Sequence, residues 1–183
     1  MSVRAVVLVL VGLGAAAPMA PQQGDQSGGA LASAFSEISR DLLGAAEKMP
    51  PESYAFRPAD GVRTFGQIIA HVGGGNFLYC SQASKQRLAS VLSSRLNEVR
   101  PFSDVVTAAN ARVFKKEELV ALLSESIAFC ERVYNDRGVS AGDGVRALIG
   151  NIAHDNGHYA NLVTYLRMKG LVPPSTERRK GGQ

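Results

Sequence analysis

Thr64-Phe65-Gly66-Gln67-Ile68-Ile69-Ala70-His71-Val72 is the stretch from which the fold of this chain is read. Thr64 and Gln67 head an apolar pattern at the spacing of a capping box, in which the threonine hydroxyl accepts from the Gln67 amide while the Gln67 side chain reaches back. Phe65, Ile68, Ile69, Val72 and Tyr79 then recur on one helical face, which predicts a helix over residues 64–84. Gly73, Gly74 and Gly75 interrupt it. Each glycine costs about 1 kcal/mol relative to alanine inside a helix, so the run predicts that something approaches the backbone closely there.

Working outward, three more amphipathic helices stand out and no segment alternates with the period of a strand, so the class is all-α. The first covers residues 30–48, with Leu31, Phe35, Ile38, Leu42 and Leu43 inward, and Pro50-Pro51 stops it. An irregular stretch, residues 52–63, carries Tyr54, Phe56 and Arg57-Pro58. The third covers residues 116–136, with Leu119, Leu122, Leu123, Ile127, Cys130 and Val133 inward. A fourth begins after Ser140, with Asp143 as its capping partner, and ends at Gly170; its stripe is Leu148, Ile152, Tyr159, Leu162 and Leu166. Arg167 and Lys169 suit its negative C-terminal end, and Pro173-Pro174 opposes continuation.

The connection over residues 85–115 is long and includes an amphipathic piece at residues 88–99. A link of that length can cross a bundle and leave the second and third helices parallel. Cys80 and Cys130 then fall within ~3 Å of the same height. They form either a disulfide, closing a loop of about 50 residues worth roughly 4 kcal/mol in the chain-entropy account, or two buried thiols.

The 183 residues, 45% hydrophobic and 20% charged, suit one globular domain. Arg4, the apolar run at residues 5–13 and the small residues at 14–20 have the layout of a secretory leader. Residues 1–20 are therefore expected to be a signal peptide, 21–29 a flexible lead-in, 30–174 the folded domain and 175–183 a disordered basic tail. Export to the periplasm or medium follows, and Pro18 and Pro21 leave open an uncleaved membrane anchor. The net charge of +4 is spread without a basic stripe or stacking aromatics, which argues against nucleic acid as a partner. A small-molecule substrate is expected instead, and self-association as a homodimer is allowed.

The chain has only three histidines. His154 and His158 stand one turn apart on the fourth helix, and His71 lies on the second, each beside its helix's apolar stripe. Each alone could be a satisfied structural histidine. Together they can close on one divalent ion in a cleft between the two helices and leave a position for water or substrate. Asp155, Gln67 and Asn151 are candidates to orient the imidazoles. Asp155 falls near the centre of an apolar face, where an unpaired carboxylate is costly; it would orient His71 or a bound water, accept a proton in catalysis, or serve as a structural acceptor.

The Thr64 to Val72 stretch, the run His154-Asp155-Asn156-Gly157-His158-Tyr159, and the closing pattern Tyr165-Leu166-Arg167 through Gly170 to Pro173-Pro174 resemble the DinB-like superfamily, which includes damage-inducible proteins and bacillithiol transferases. The resemblance covers residues 30–174. It implies a four-helix bundle of up-down-down-up order with the long crossover between helices two and three. It also implies a nickel, zinc or iron ion on His71, His154 and His158, and no further cofactor. Members with assigned activities resemble thiol-dependent transferases or isomerases, chemistry that suits a metal able to hold a thiolate. Those relatives are cytosolic, whereas this leader implies export. Three readings follow: an exported metal-dependent hydrolase or thiol-type transferase, a non-enzymatic metal-binding or interaction bundle, and a bundle without metal.

Overall fold

The computed structural model describes residues 23–87, 115–139 and 142–181, with side chains from residue 28. Helix α1 spans Gln23–Lys48, α2 Phe65–Ser84, α3 Lys116–Tyr134, α4 Gly142–Met168 and α5 Pro174–Gly181, and a short 3-10 turn covers Pro51–Ser53. Among the described residues there is no strand, so the all-α class holds. The leader, the crossover piece at residues 88–99 and the Ser140 cap lie outside the described residues. No described helix is long and apolar enough to cross a membrane.

Helix α2 packs on α3 and α4, and α1 packs on the same two. Contacts across α2 and α3 climb in step: Gly66 faces Leu119, Gly73 faces Leu122, Asn76 bonds Ser126, and Phe77 stacks with Phe129. The two helices are therefore parallel, and a Cys80–Cys130 disulfide joins them with Cα atoms 5.4 Å apart. Contacts across α2 and α4 run in opposite senses: His71 meets His158, Gly75 meets His154, and Tyr79 meets Gly150. Helix α1 is antiparallel to α3, since Phe35 stacks on Tyr134 at 4.3 Å while Lys116 Nζ donates to the Glu47 and Met49 carbonyls at the other end. These registers are compatible with up-down-down-up order.

The core joins Phe35, Leu42 and Met49 of the α1 side to Phe65 and Ile69 of α2, Leu123 of α3, and Leu162 and Leu166 of α4. The stripes read from the sequence are mostly buried. Leu31, Leu43, Tyr79, Leu122 and Ile152 are only partly so, while Asn151 and Asp155 occupy the fully buried centre of α4.

Two differences from the sequence reading concern the ends. Helix α1 already runs from Gln23, through the segment expected to be a flexible lead-in, although nothing packs against Gly28 or Gly29. Extending a helix already nucleated by a packed segment costs less than starting one. Residues 175–181 of the tail expected to be disordered instead belong to α5. Pro174 cannot continue α4 but suits the first position of a new helix. Arg178 then grips both carboxylate oxygens of Asp41 and reaches Glu37 at 2.9 Å, and Lys48 pairs with Glu177.

Candidate metal centre

The capping box opens α2 as expected, with Thr64 N donating to Gln67 Oε1 at 2.8 Å and Gln67 N donating to Thr64 Oγ1 at 3.2 Å. This fixes the start of α2 and hence the height of His71 two turns along. His154 and His158 project from α4 at the same level. One ligand nitrogen from each of the three imidazoles lies within 4.8 Å of the others.

His71 Nε2 and His154 Nε2 are 3.2 Å apart. Two nitrogens each ~2.0–2.1 Å from one tetrahedral ion stand ~3.3 Å apart, so this pair has the spacing of two ligands of one metal. The opposite nitrogen of His154, Nδ1, lies 3.0 Å from Asp155 Oδ1. An ionised carboxylate can only accept, so Nδ1 carries the proton and Nε2 keeps its lone pair toward His71. A carboxylate behind a metal-binding imidazole is the arrangement that fixes both tautomer and ring orientation.

Asp155 is fully buried, and its Oδ2 has no hydrogen-bond partner among the described residues. Burial pushes its carboxyl up to about 6, against the opposing pull of His154; at neutral pH it is mostly ionised. The sequence reading names His71 or a bound water as what Asp155 would orient; the imidazole it meets is that of His154, its neighbour in the chain. Gln67 uses its Oε1 on the helix cap, and Asn151 donates to the Tyr134 hydroxyl at 3.4 Å.

Burial, then His158 and the Arg63 charge, hold His71 down at about 4. Burial, then His154 and Arg63, do the same to His158. Both imidazoles are therefore neutral at pH 7, the form that binds metal. The donor set, the spacing and the carboxylate behind it all fit a divalent ion.

The glycine run supplies the close approach that its cost implied. A Cβ on Gly75 would stand 2.5 Å from His154 Cε1, so the ring lies against bare backbone. Gly73 serves another neighbour: its Cβ would meet Leu122 Cγ at 3.1 Å. The glycines on α2 were legible as a site of approach, but which one meets the imidazole was not. Tyr79, read only as a stripe residue, backs the His154 ring with centroids 5.6 Å apart and fills the space left by Gly150.

No curated protein and no solved structure gives a significant match to this chain. The family model of the DinB superfamily matches residues 34–162, a span that contains His71, His154, His158, Asp155 and both cysteines. The chain belongs to the DinB superfamily.

Proposed function

We propose that this protein binds one divalent ion, nickel, zinc or iron, through His71, His154 and His158, and acts outside the cytosol as a metal-dependent hydrolase or thiol-type transferase on a small molecule. The observation that carries the reading is the 3.2 Å approach of His71 Nε2 to His154 Nε2, with Asp155 behind the second ring. When bound, the ion supplies Lewis acidity and lowers the pKa of a water or thiol. Three imidazole donors suit any of the three metals.

The chain's own residues do the rest. Asp155 holds the His154 proton on Nδ1 and orients the ring, and is a positioning residue. Gly75 admits the ring between the helices, and Tyr79 packs against it. A cavity beside His158 gives a small molecule access, which favours an enzyme over a purely structural bundle. The leader-like residues 1–20 and the Cys80–Cys130 disulfide support export, because disulfides persist in oxidising compartments.

Metal analysis of untagged protein tests the reading. Near-stoichiometric nickel, zinc or iron is expected, and His158→Ala should abolish uptake while far-ultraviolet circular dichroism stays unchanged. Stoichiometric metal retained by the His158→Ala protein would refute the ligand set.

A further inference from the structure

The cavity beside the metal centre has a volume of about 860 Å³ and is lined by the ligand His158, by Tyr165, and by Arg57 and Arg63. Its size is that of a small-molecule site. Its charge is one-sided, since two arginines and no aspartate or glutamate line it. Among the described residues neither guanidinium is paired with a carboxylate.

The arginines sit near the two ends of one pinned loop. Phe65 N donates to the Phe56 carbonyl at 2.9 Å, closing residues 56–65 into a ring. The Tyr165 hydroxyl donates to the Arg63 carbonyl at 2.6 Å and ties that ring to α4. Phe56 packs edge-on to Tyr165 and carries the Lys169 ammonium 3.9 Å from its centroid. The backbone under both arginines is thus fixed by other groups, while both side chains stay exposed. The charge of Arg57 also reaches the Tyr165 phenol of the same cavity, against the upward push of burial.

We infer that this cavity takes a small organic anion whose carboxylate or phosphate is held by Arg57 and Arg63 while the rest of the molecule reaches His158. Planar guanidinium forks bind either oxyanion through paired N–H donors, and a lysine in their place would act only as a point charge. The inference rests on the metal reading for what happens to the ligand, but the arginine site itself does not need the ion.

Isothermal titration calorimetry on the full chain, zinc-loaded and zinc-free, tests it with succinate, inorganic phosphate and the neutral succinamide as probes. One of the two anions should bind, succinamide should not, and affinity should fall with added sodium chloride. Arg63→Gln and Arg57→Gln should each weaken anion binding about tenfold or more, with zinc stoichiometry unchanged; Arg63→Lys should fall between. Preference for succinate assigns a carboxylate ligand, and preference for phosphate a phosphoryl one. Failure of both anions to bind the wild-type chain, or binding indifferent to both glutamine substitutions, would overturn the inference. A chain that takes up no zinc yet binds the anion through its arginines would sink the metal reading and leave this one standing.

Discussion

Helix α2 has two seams, and they are built for opposite ends. Toward α3 it is parallel, apolar and covalently stapled: Gly73 admits Leu122, Phe77 stacks on Phe129, and the Cys80–Cys130 bond closes the far turns. The buried polar side chains there, Asn76 and Ser126, are uncharged. Toward α4 it is antiparallel and holds three imidazoles and a buried carboxylate with one unpartnered oxygen. An unpartnered buried oxygen costs stability at either seam, Asn76 Oδ1 included, but a buried charge costs far more. The first seam thus supplies rigidity, and the second spends some of it on a site. The same device, a glycine on α2, serves both, and only the neighbour differs.

The largest expected effect comes from breaking the staple. The double variant Cys80→Ser, Cys130→Ser opens a loop with a sequence separation of 50, which the chain-entropy account values at about 4 kcal/mol. Urea unfolding monitored by circular dichroism should show that loss. Metal affinity per folded molecule should change little, because no ligand lies on the α2–α3 seam. A large loss of affinity at full folding would mean that the two seams are not independent.

The two glycines provide the direct comparison. In Gly75→Ala the new methyl would stand 2.5 Å from His154 Cε1, so the ring must leave its position. Zinc affinity should fall roughly ten- to a hundredfold, as for loss of ligand orientation. In Gly73→Ala the methyl meets Leu122, a partly buried side chain that can shift, at 3.1 Å. Better helix propensity then offsets the crowding to within about 1 kcal/mol, and zinc affinity should hold. Equal loss of zinc from both variants would show that α2 responds to any added bulk and that Gly75 has no special relation to His154.

Asp155→Asn probes the charge on the site seam. The amide keeps the shape and still offers an oxygen to His154 Nδ1, but loses the charge that burial opposes. Zinc affinity should fall about tenfold, while the metal-free protein should be no less stable at pH 7. The sign follows from the raised carboxyl: its penalty is absent below the unfolded value, grows as pH climbs from there to about 6, and is in full force at pH 7. A metal-free Asp155→Asn protein markedly less stable than wild type would make the carboxylate a net structural asset.

What the sequence disclosed and what it did not follow the same division. The helices, the Thr64–Gln67 cap and the height match of the two cysteines depend on local periodicity and rise per residue, so they could be read along the chain. The three histidines were legible for the same reason, each placed beside a stripe by its phase on the helix. The partner of Asp155 was not, because a side-chain rotamer chooses between His71 and His154 and no spacing records it. Arg57 and Arg63 were unread as a pair, since the hydrogen bonds that close their loop join Phe65 to Phe56 and Tyr165 to Arg63 across the fold. Helix α5 was missed because Pro174 was read only as a stop, and its holding partner, Asp41, lies more than a hundred residues upstream.

That last contact gives the smallest predicted effect and the control for the others. Arg178 binds Asp41, only 4% exposed, from a helix that belongs to neither seam of α2. Arg178→Ala removes the cation and leaves a shielded carboxylate behind, yet the arginine itself is partly solvated, so the expected loss is about 1 kcal/mol or less. Thermal unfolding should fall by a few degrees at most, with zinc affinity and disulfide content unchanged. Recovery of the lost stability by Arg178→Gln, which keeps the side-chain stem without the charge, would place the role of Arg178 in the packing of its side chain along α1, not in its charge, and would make α5 a part of the core that both seams share.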